Sequence, residues 1–270
     1  MKKENPGARF FSASINIYSF LVFFFLSAPL LVVAILSFIS ASYLQFPPPG
    51  YSLRWYAEYF SSPNWIRATI NSLKIALGTT LLATFLGTLA AFSLVRGKYR
   101  LKPLADRLIA APIVVPNIII AVAIYALFSN LRIIGTWYGV VVGHTIYAIP
   151  FVAMVVGAAL RTVDIRLELA AESLGASKLG AIRLVTLPLI KPAVVSAAFL
   201  AFITSFDELI IALFISGSQV TLPKKMYENI IFEIDPVIAA VSVLQTLLVG
   251  AFLYLASRYG QGMSPVPEGS

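Results

Sequence analysis

The chain has 270 residues, 59% hydrophobic and 12% charged, with mean hydropathy +0.87, against roughly 25% charged residues in soluble domains, so its solvent is mostly lipid. Lack of cysteine excludes a disulfide framework and a thiolate metal site, and the single histidine, His144, excludes a histidine-cluster metal site within one chain. The net charge of +8 comes from lysines and arginines lying between apolar runs, so it reads as a topology signal and not as a nucleic-acid surface.

Six apolar segments stand out, at 18–41, 68–95, 108–128, 139–160, 193–215 and 237–257. Each is long enough to cross about 30 Å of hydrocarbon at 1.5 Å per residue. None shows the alternation of a membrane barrel, and backbone in lipid must satisfy its own hydrogen bonds, so the expected fold class is all-α with six transmembrane helices. Met1-Lys2-Lys3 ahead of the first run resembles a signal peptide, but the run exceeds the roughly 7–15 residues of a signal core and reads as an uncleaved span. With the amino terminus inside, fourteen of the twenty Lys and Arg fall on the inner side, which predicts that both termini are cytoplasmic.

The first outer connection, 45–67, carries Pro47-Pro48-Pro49-Gly50, a stiff turn, then Tyr51, Trp55, Tyr56, Tyr59, Phe60 and Trp65. These aromatics read either as a headgroup-level belt or as a docking surface for an outer partner. In the second segment Ala83, Gly87 and Ala91 recur every fourth residue, and the fourth opens with Gly139 and Gly143, a spacing that lets helix backbones approach closely. Pro112 and Pro116 predict a bend in the third, which either lines a pathway or is a structural kink. The outer connection 129–138 is brief. Its longer counterpart, 216–236, is amphipathic around Tyr227 and predicts a helix along the membrane surface or over a pore mouth, with Tyr227, Glu228, Glu233 and Asp235 as an outer gate, a receiver for a partner or a solvated rim.

The inner connection 161–192 reads RTVDIRLELAAESLGASKLGAIRLVTLPLIKP. Leu167, Ala170, Ala171 and Leu174 share one helical stripe. Gly175 suits a left-handed helix stop, and Ser177 suits the cap of a second helix carrying Leu179, Ile182 and Val185. Pro188 and Pro192 mark the entry to the fifth segment. Two short helices meeting at a glycine corner form an amphipathic knob, which seeks a groove on another protein or rests on the inner leaflet.

This segment is similar to the EAA loop of binding-protein-dependent ABC importer permeases, whose pattern is Glu-Ala-Ala, three residues, Gly, nine residues, an aliphatic, one residue, Leu-Pro. Ala170 and Ala171 match the alanines, Gly175 the glycine, Val185 the aliphatic, and Leu187-Pro188 the closing pair. Leu169 stands where the pattern has glutamate, and Glu168 sits one residue earlier, rotated about 100° around a helix. Arg67 to Leu73 also opens the second segment as such permeases do. His144-Thr145, Pro150-Phe151-Val152 and Ser205-Phe206-Asp207-Glu208 most resemble the second permease subunit of spermidine/putrescine importers.

The resemblance implies a type I ABC importer permease fold, multi-pass in the bacterial inner membrane. It divides the chain into an amino-terminal span and outer loop (1–66), a permease core (67–257) and a cytoplasmic tail (258–270). The implied partners are an ABC ATPase dimer, a second, related permease subunit completing a heterodimer, and an extracytoplasmic solute-binding protein. The ATPase-coupling residues it points to are Glu168, Leu169, Ala170, Ala171, Gly175, Ala176, Ser177, Leu187 and Pro188. No cofactor is expected on this chain, ATP and Mg being bound by the partner ATPase, and no catalytic residue is expected. The chain indeed lacks the Gly-x-x-x-x-Gly-Lys-Ser/Thr phosphate loop. The implied solute is a polyamine or related small amine, with an amino acid-like solute, an opine or a phosphonate as alternatives. An ion-coupled secondary transporter would need ionisable groups in several spans or discontinuous helices, and the acids here concentrate in one span.

Those acids, Asp207 and Glu208, fall just into the outer half of the fifth segment. An ionised carboxylate near the bilayer centre costs about 2.5–3.5 kcal/mol, which argues against a lipid-facing position. They read either as a cation-attracting station, with Tyr227 as a further pathway candidate, or as packing and capping groups. His144 reads as a packed, hydrogen-bonded residue rather than a proton relay.

Overall fold

A computed structural model describes residues 6–232 and 235–261. The Met1-Lys2-Lys3 start, Glu233 and residues 262–270 of the expected tail lie outside the described residues. Twelve α-helices are found among the described residues, and no strand. Five are long and apolar enough to cross a membrane, or six when one bent pair counts as a single span.

Contacts divide the chain into two compact units, the described parts of 1–62 with 229–247, and of 63–228 with 248–270. In the first, α1 (Pro6–Leu36) contains a stretch, Ser14–Leu36, of mean hydropathy 2.6 with none of its most apolar window covered by the rest of the chain. A helix apolar on all sides is stable only against lipid or another protein. The connection that follows folds back on itself, Ser40 N–H donating to Gly50 O at 3.0 Å and Ser52 N–H to Phe38 O at 2.6 Å. It leads into α2 (Arg54–Ser61), where Tyr56 packs on Phe38 and shares a 2.8 Å hydrogen bond with Ser37. The aromatics of this connection therefore divide: Trp55 and Tyr59 are buried, and Tyr51 and Phe60 are exposed.

The second unit is organised by α3 (Pro63–Arg96), α6 (Trp137–Thr162) and α9 (Leu187–Phe206). Ala83 and Ala91 of α3 meet Ala148, Val152, Val156 and Leu160 of α6 and Ile190, Ala197 and Ala201 of α9 in one buried cluster. The small-residue spacing does what it predicted. A Cβ placed on Gly87 would stand 2.6 Å from the Val152 Cβ. Gly87→Val is therefore expected to destabilise the bundle by about 1–3 kcal/mol through overpacking. Gly250, which has nothing within 4 Å of a built Cβ, supplies the control. Detergent-solubilised Gly87→Val should melt several degrees lower and aggregate on size exclusion while Gly250→Val behaves as the parent; equal behaviour of the two would refute close α3–α6 packing.

Two expected spans differ from a single rod. The third is α4 (Lys102–Val114) followed by α5 (Asn117–Leu131), bent by 110°. Pro116 pushes Val115 into extended backbone (ψ 132°) and has no N–H to continue the ladder, so a new helix starts after it. The predicted bend is a break. The fifth segment also breaks: α9 stops at Phe206, and α10 (Ile210–Ile215) begins after Asp207-Glu208-Leu209. Here Ile211 and Ile215 pack with Ile124 and Phe128 of α5 and with Ile75, Val140 and Val141 in a second buried cluster.

The 161–192 connection folds as α7 (Ile165–Ser173) and α8 (Lys178–Ala181). The second helix is not separate, because α8 runs through a π turn (Ile182–Thr186) into α9. Pro188 and Pro192 cannot donate to the carbonyls four residues before them, and the wider turn sits where the first of these falls. Beyond α10, α11 (Leu222–Phe232) covers the amphipathic stretch and α12 (Val237–Gln261) the last apolar segment.

Candidate functional site

The corner between α7 and α8 is built by four local devices. Asp164 accepts from Arg166 N–H at 2.9 Å and caps the start of α7. At the other end Gly175 N–H donates to Glu172 O and Ala176 N–H to Ala171 O, both at 3.0 Å, the paired bonds of a Schellman stop. That stop needs a residue at positive φ, and Gly175 has φ +95°. Ser177 then accepts from Gly180 N–H at 3.1 Å and caps α8. The glycine corner and the serine cap are both where the residue types place them.

The corner shows both leucines of the expected stripe to the outside, and further leucines beside them. Leu174 is 90% and Leu179 75% exposed, and Leu167, Leu169 and Leu184 are uncovered as well. The one buried residue of α7 is a charged one, Glu168, at 8%. The leucines thus face away from the chain, and the carboxylate faces in. Glu168 Oε1 accepts the Thr186 hydroxyl at 2.8 Å and lies 3.3 Å from Arg96 Nη2, which also donates to Val163 O at 2.8 Å. Ala170, Leu187 and Pro188 are exposed, and Ala171 and Ala176 half-buried. Arg96 and Thr186 were not singled out from sequence, where Arg96 counts only as a topology charge. An arginine closing a span ahead of an acid in a later inner loop was the available signal.

The second cluster surrounds the break in the fifth segment. Asp207 and Glu208 are not neighbours on a helix turn. Asp207 closes α9, its N–H donating to Ile203 O at 3.1 Å, and is exposed. Glu208 is buried, and its Oε2 accepts from Ala212 N–H at 3.1 Å in the first turn of α10. His144 on α6 is buried too. Its Nδ1 is 2.9 Å from Ser205 Oγ, and its Nε2 is 3.7 Å from Glu208 Oε2. The packed, hydrogen-bonded reading of His144 holds. The break is thus framed by Ser205 before it, Glu208 within it and His144 across from it.

The stretch 216–228 is tied to α3: Leu222 N–H donates to Ser72 Oγ at 2.7 Å, Asn71 Nδ2 to Val220 O at 3.3 Å, and Lys225 Nζ lies 5.6 Å from the Trp65 ring centre. Tyr227 is exposed on α11 and, among the described residues, stands apart from the Asp207–His144 cluster. Asp235 caps α12 by accepting from Val237 N–H at 3.0 Å.

A family profile described as "Binding-protein-dependent transport system inner membrane component" matches residues 83–259. The putrescine transport system permease protein PotI of Escherichia coli K12 is 36% identical over 237 residues, covering 85% of this chain and 83% of that protein. The spermidine/putrescine transport system permease protein PotC of Haemophilus influenzae is 30% identical over 242 residues, covering 89% and 94%. Among solved structures, a bacterial ABC transporter involved in import of the acidic polysaccharide alginate superposes with TM-score 0.75 at 13% identity over 96% of this chain and 99% of that one. The MetNI methionine ABC transporter superposes with TM-score 0.60 at 21% identity over 75% and 99%. With its helical fold, apolar spans and glycine elbow, the chain belongs to the inner membrane component family of binding-protein-dependent transport systems, as a multi-pass permease subunit of an ABC importer whose ATPase is a separate subunit.

Proposed function

We propose that this permease carries polyamines, spermidine- or putrescine-like dications, inward across the cytoplasmic membrane. Both termini lie in the cytoplasm, the core runs over 67–257, and the α7–α8 elbow seats in a groove of an ABC ATPase dimer that binds ATP and Mg. Glu168 to Ala171, Gly175 to Ser177 and Leu187-Pro188 form or support that contact. A second, related permease completes a heterodimer, and an extracytoplasmic binding protein delivers the solute. ATP binding draws the two ATPase grooves together and shifts the bundle from inward-open to outward-open. The elbow transmits that shift only if it docks differently in the two states.

The observation that carries the docking is the pair of uncovered leucines, Leu174 and Leu179, held rigidly on either side of Gly175. Apolar side chains on a capped, hydrogen-bonded corner gain by entering a groove. The dicationic solute is supported by the likeness to PotI and PotC over most of the chain, and by an exposed acid, Asp207, at a break in a span. The test is ATP-dependent uptake of radiolabelled putrescine by vesicles holding the permease pair, the ATPase and the binding protein. Competition by spermidine, and none by amino acids or phosphonates, is expected. Uptake that survives ATP depletion, or that serves only neutral or anionic solutes, would overturn the proposal.

A further inference from the structure

The polar junction under the elbow has an arrangement that stability alone does not explain. Four groups converge on two atoms. Arg96 Nη2 reaches both Val163 O and Glu168 Oε1, and Glu168 Oε1 receives both Arg96 and the Thr186 hydroxyl. Each group marks the end of a different element: Arg96 is the last residue of α3, Val163 closes α6, Glu168 lies in the first turn of α7, and Thr186 ends the π turn that enters α9. The helix ends that lead into and out of the elbow are thereby fastened to one guanidinium–carboxylate pair.

Thr186 is fully buried, Glu168 nearly so, and the Arg96 side chain largely, at 22% exposure. A buried ion pair is a weak source of net stability, since desolvation consumes most of its Coulombic gain. What a planar guanidinium supplies is direction, its N–H groups pointing along fixed lines. The carbonyl it meets, at the end of α6, is one of those that a helix leaves without an intrahelical partner. Sequence register sharpens the point. Leu169 occupies the place of the glutamate in the EAA pattern and is exposed, while the acid one residue earlier is turned inside.

We infer that Arg96 is a positioning residue for coupling: through Glu168, Val163 and Thr186 it makes the elbow and the adjoining ends of α3, α6 and α9 move as one body. The inference rests on the elbow being the seat of the ATPase and adds how its displacement reaches the spans. Without the junction, force on the elbow is spent bending the short connections at 163–164 and 174–177.

The experiment uses the complete importer in vesicles with putrescine as probe and reads uptake per ATP hydrolysed. Arg96→Met/Glu168→Leu replaces the pair by apolar groups, a change that tends to preserve or raise stability, and Thr186→Val removes only a hydroxyl. Both are expected to assemble as the parent does and to lower uptake per ATP, the double variant by about tenfold. Arg96→Lys, which keeps a charge without the fork, should recover only part of the ratio. Because the chain has no cysteine, single cysteines at Lys98 and Arg166 accept spin labels cleanly. Their distance distribution is expected to be narrow and equal in nucleotide-free and ATP-trapped complexes, and to broaden in Thr186→Val. Parental uptake per ATP in both variants, or a Lys98–Arg166 distance that changes with nucleotide in the parent, overturns the joint. Gly175→Val, measured alongside, separates this from failure of the docking itself. Where Gly175→Val uncouples and the junction variants do not, the joint alone is wrong; where neither does, the elbow is not the seat.

Discussion

Gly175→Val is expected to insert and assemble as the parent does, yet to lower solute-stimulated ATP hydrolysis in reconstituted vesicles at least about tenfold. The expectation comes from a contrast at one position. Gly175 has φ +95°, and a Cβ built on it meets nothing within 4 Å. No neighbour is pushed, so the bundle and its insertion are spared. The backbone alone is strained, by about 1–3 kcal/mol, and most for a β-branched residue. The chain relieves that strain by giving up the Gly175–Glu172 and Ala176–Ala171 bonds, which set the angle between α7 and α8. Leu174 and Leu179 then no longer present one rigid apolar edge. Gly175→Asn, a residue that visits positive φ at lower cost, should retain more coupling. Normal stimulation in Gly175→Val, with the protein shown to be in the membrane, would remove the elbow from the mechanism.

The features legible in the sequence are those fixed by local chemistry or by the membrane itself. A run of about 20 apolar residues has few alternatives in a bilayer, and helices α1, α3, α6 and α12 overlie expected segments. Gly175 and Ser177 were readable because a left-handed stop and a helix cap each admit few residue types. The small-residue spacing in α3 likewise announced close packing, which Ala83, Gly87 and Ala91 realise against α6.

What escaped depends on partners distant in sequence. The 193–215 run looks continuous because every residue around Asp207-Glu208 is apolar or small. The break is held by a side chain, Glu208, turned onto Ala212 N–H, and by packing of Ile211 and Ile215 on α5. Pro116 signalled a bend, but 110° is set by where Ile124 and Phe128 find their cover. Helical spacing identified Leu167 and Leu174 as an apolar face without saying what covers it, and among the described residues nothing does. Glu168 was read only as a carboxylate one position off the pattern, because its pairing with Arg96 leaves no local trace.

That break reshapes the expectation for the two acids, and mutating them separately tests the outcome. Asp207→Asn is expected to reduce uptake of a dicationic solute about tenfold while the importer assembles normally. A unit charge about 4 Å from a cation in an environment of effective dielectric near 20 interacts by about 4 kcal/mol, and solvation of an exposed group returns part of that. Asp207 is the exposed member, so the loss should grow with solute charge: larger for spermidine than for putrescine, and absent for a neutral analogue. Glu208→Ala should behave differently. Glu208 is buried, closes the first turn of α10 through Ala212 N–H and faces His144. Removing it leaves a buried N–H unsatisfied and a void beside His144, which costs about 1–3 kcal/mol. Protein yield and thermal midpoint should fall, and the surviving importer should lose uptake of every solute alike. Measuring both variants against solutes of charge zero, two and three decides the matter. A charge-dependent loss in Glu208→Ala with normal stability, or a charge-independent one in Asp207→Asn, would exchange the two roles. The break in the fifth span would then hold its cation on the inner carboxylate instead.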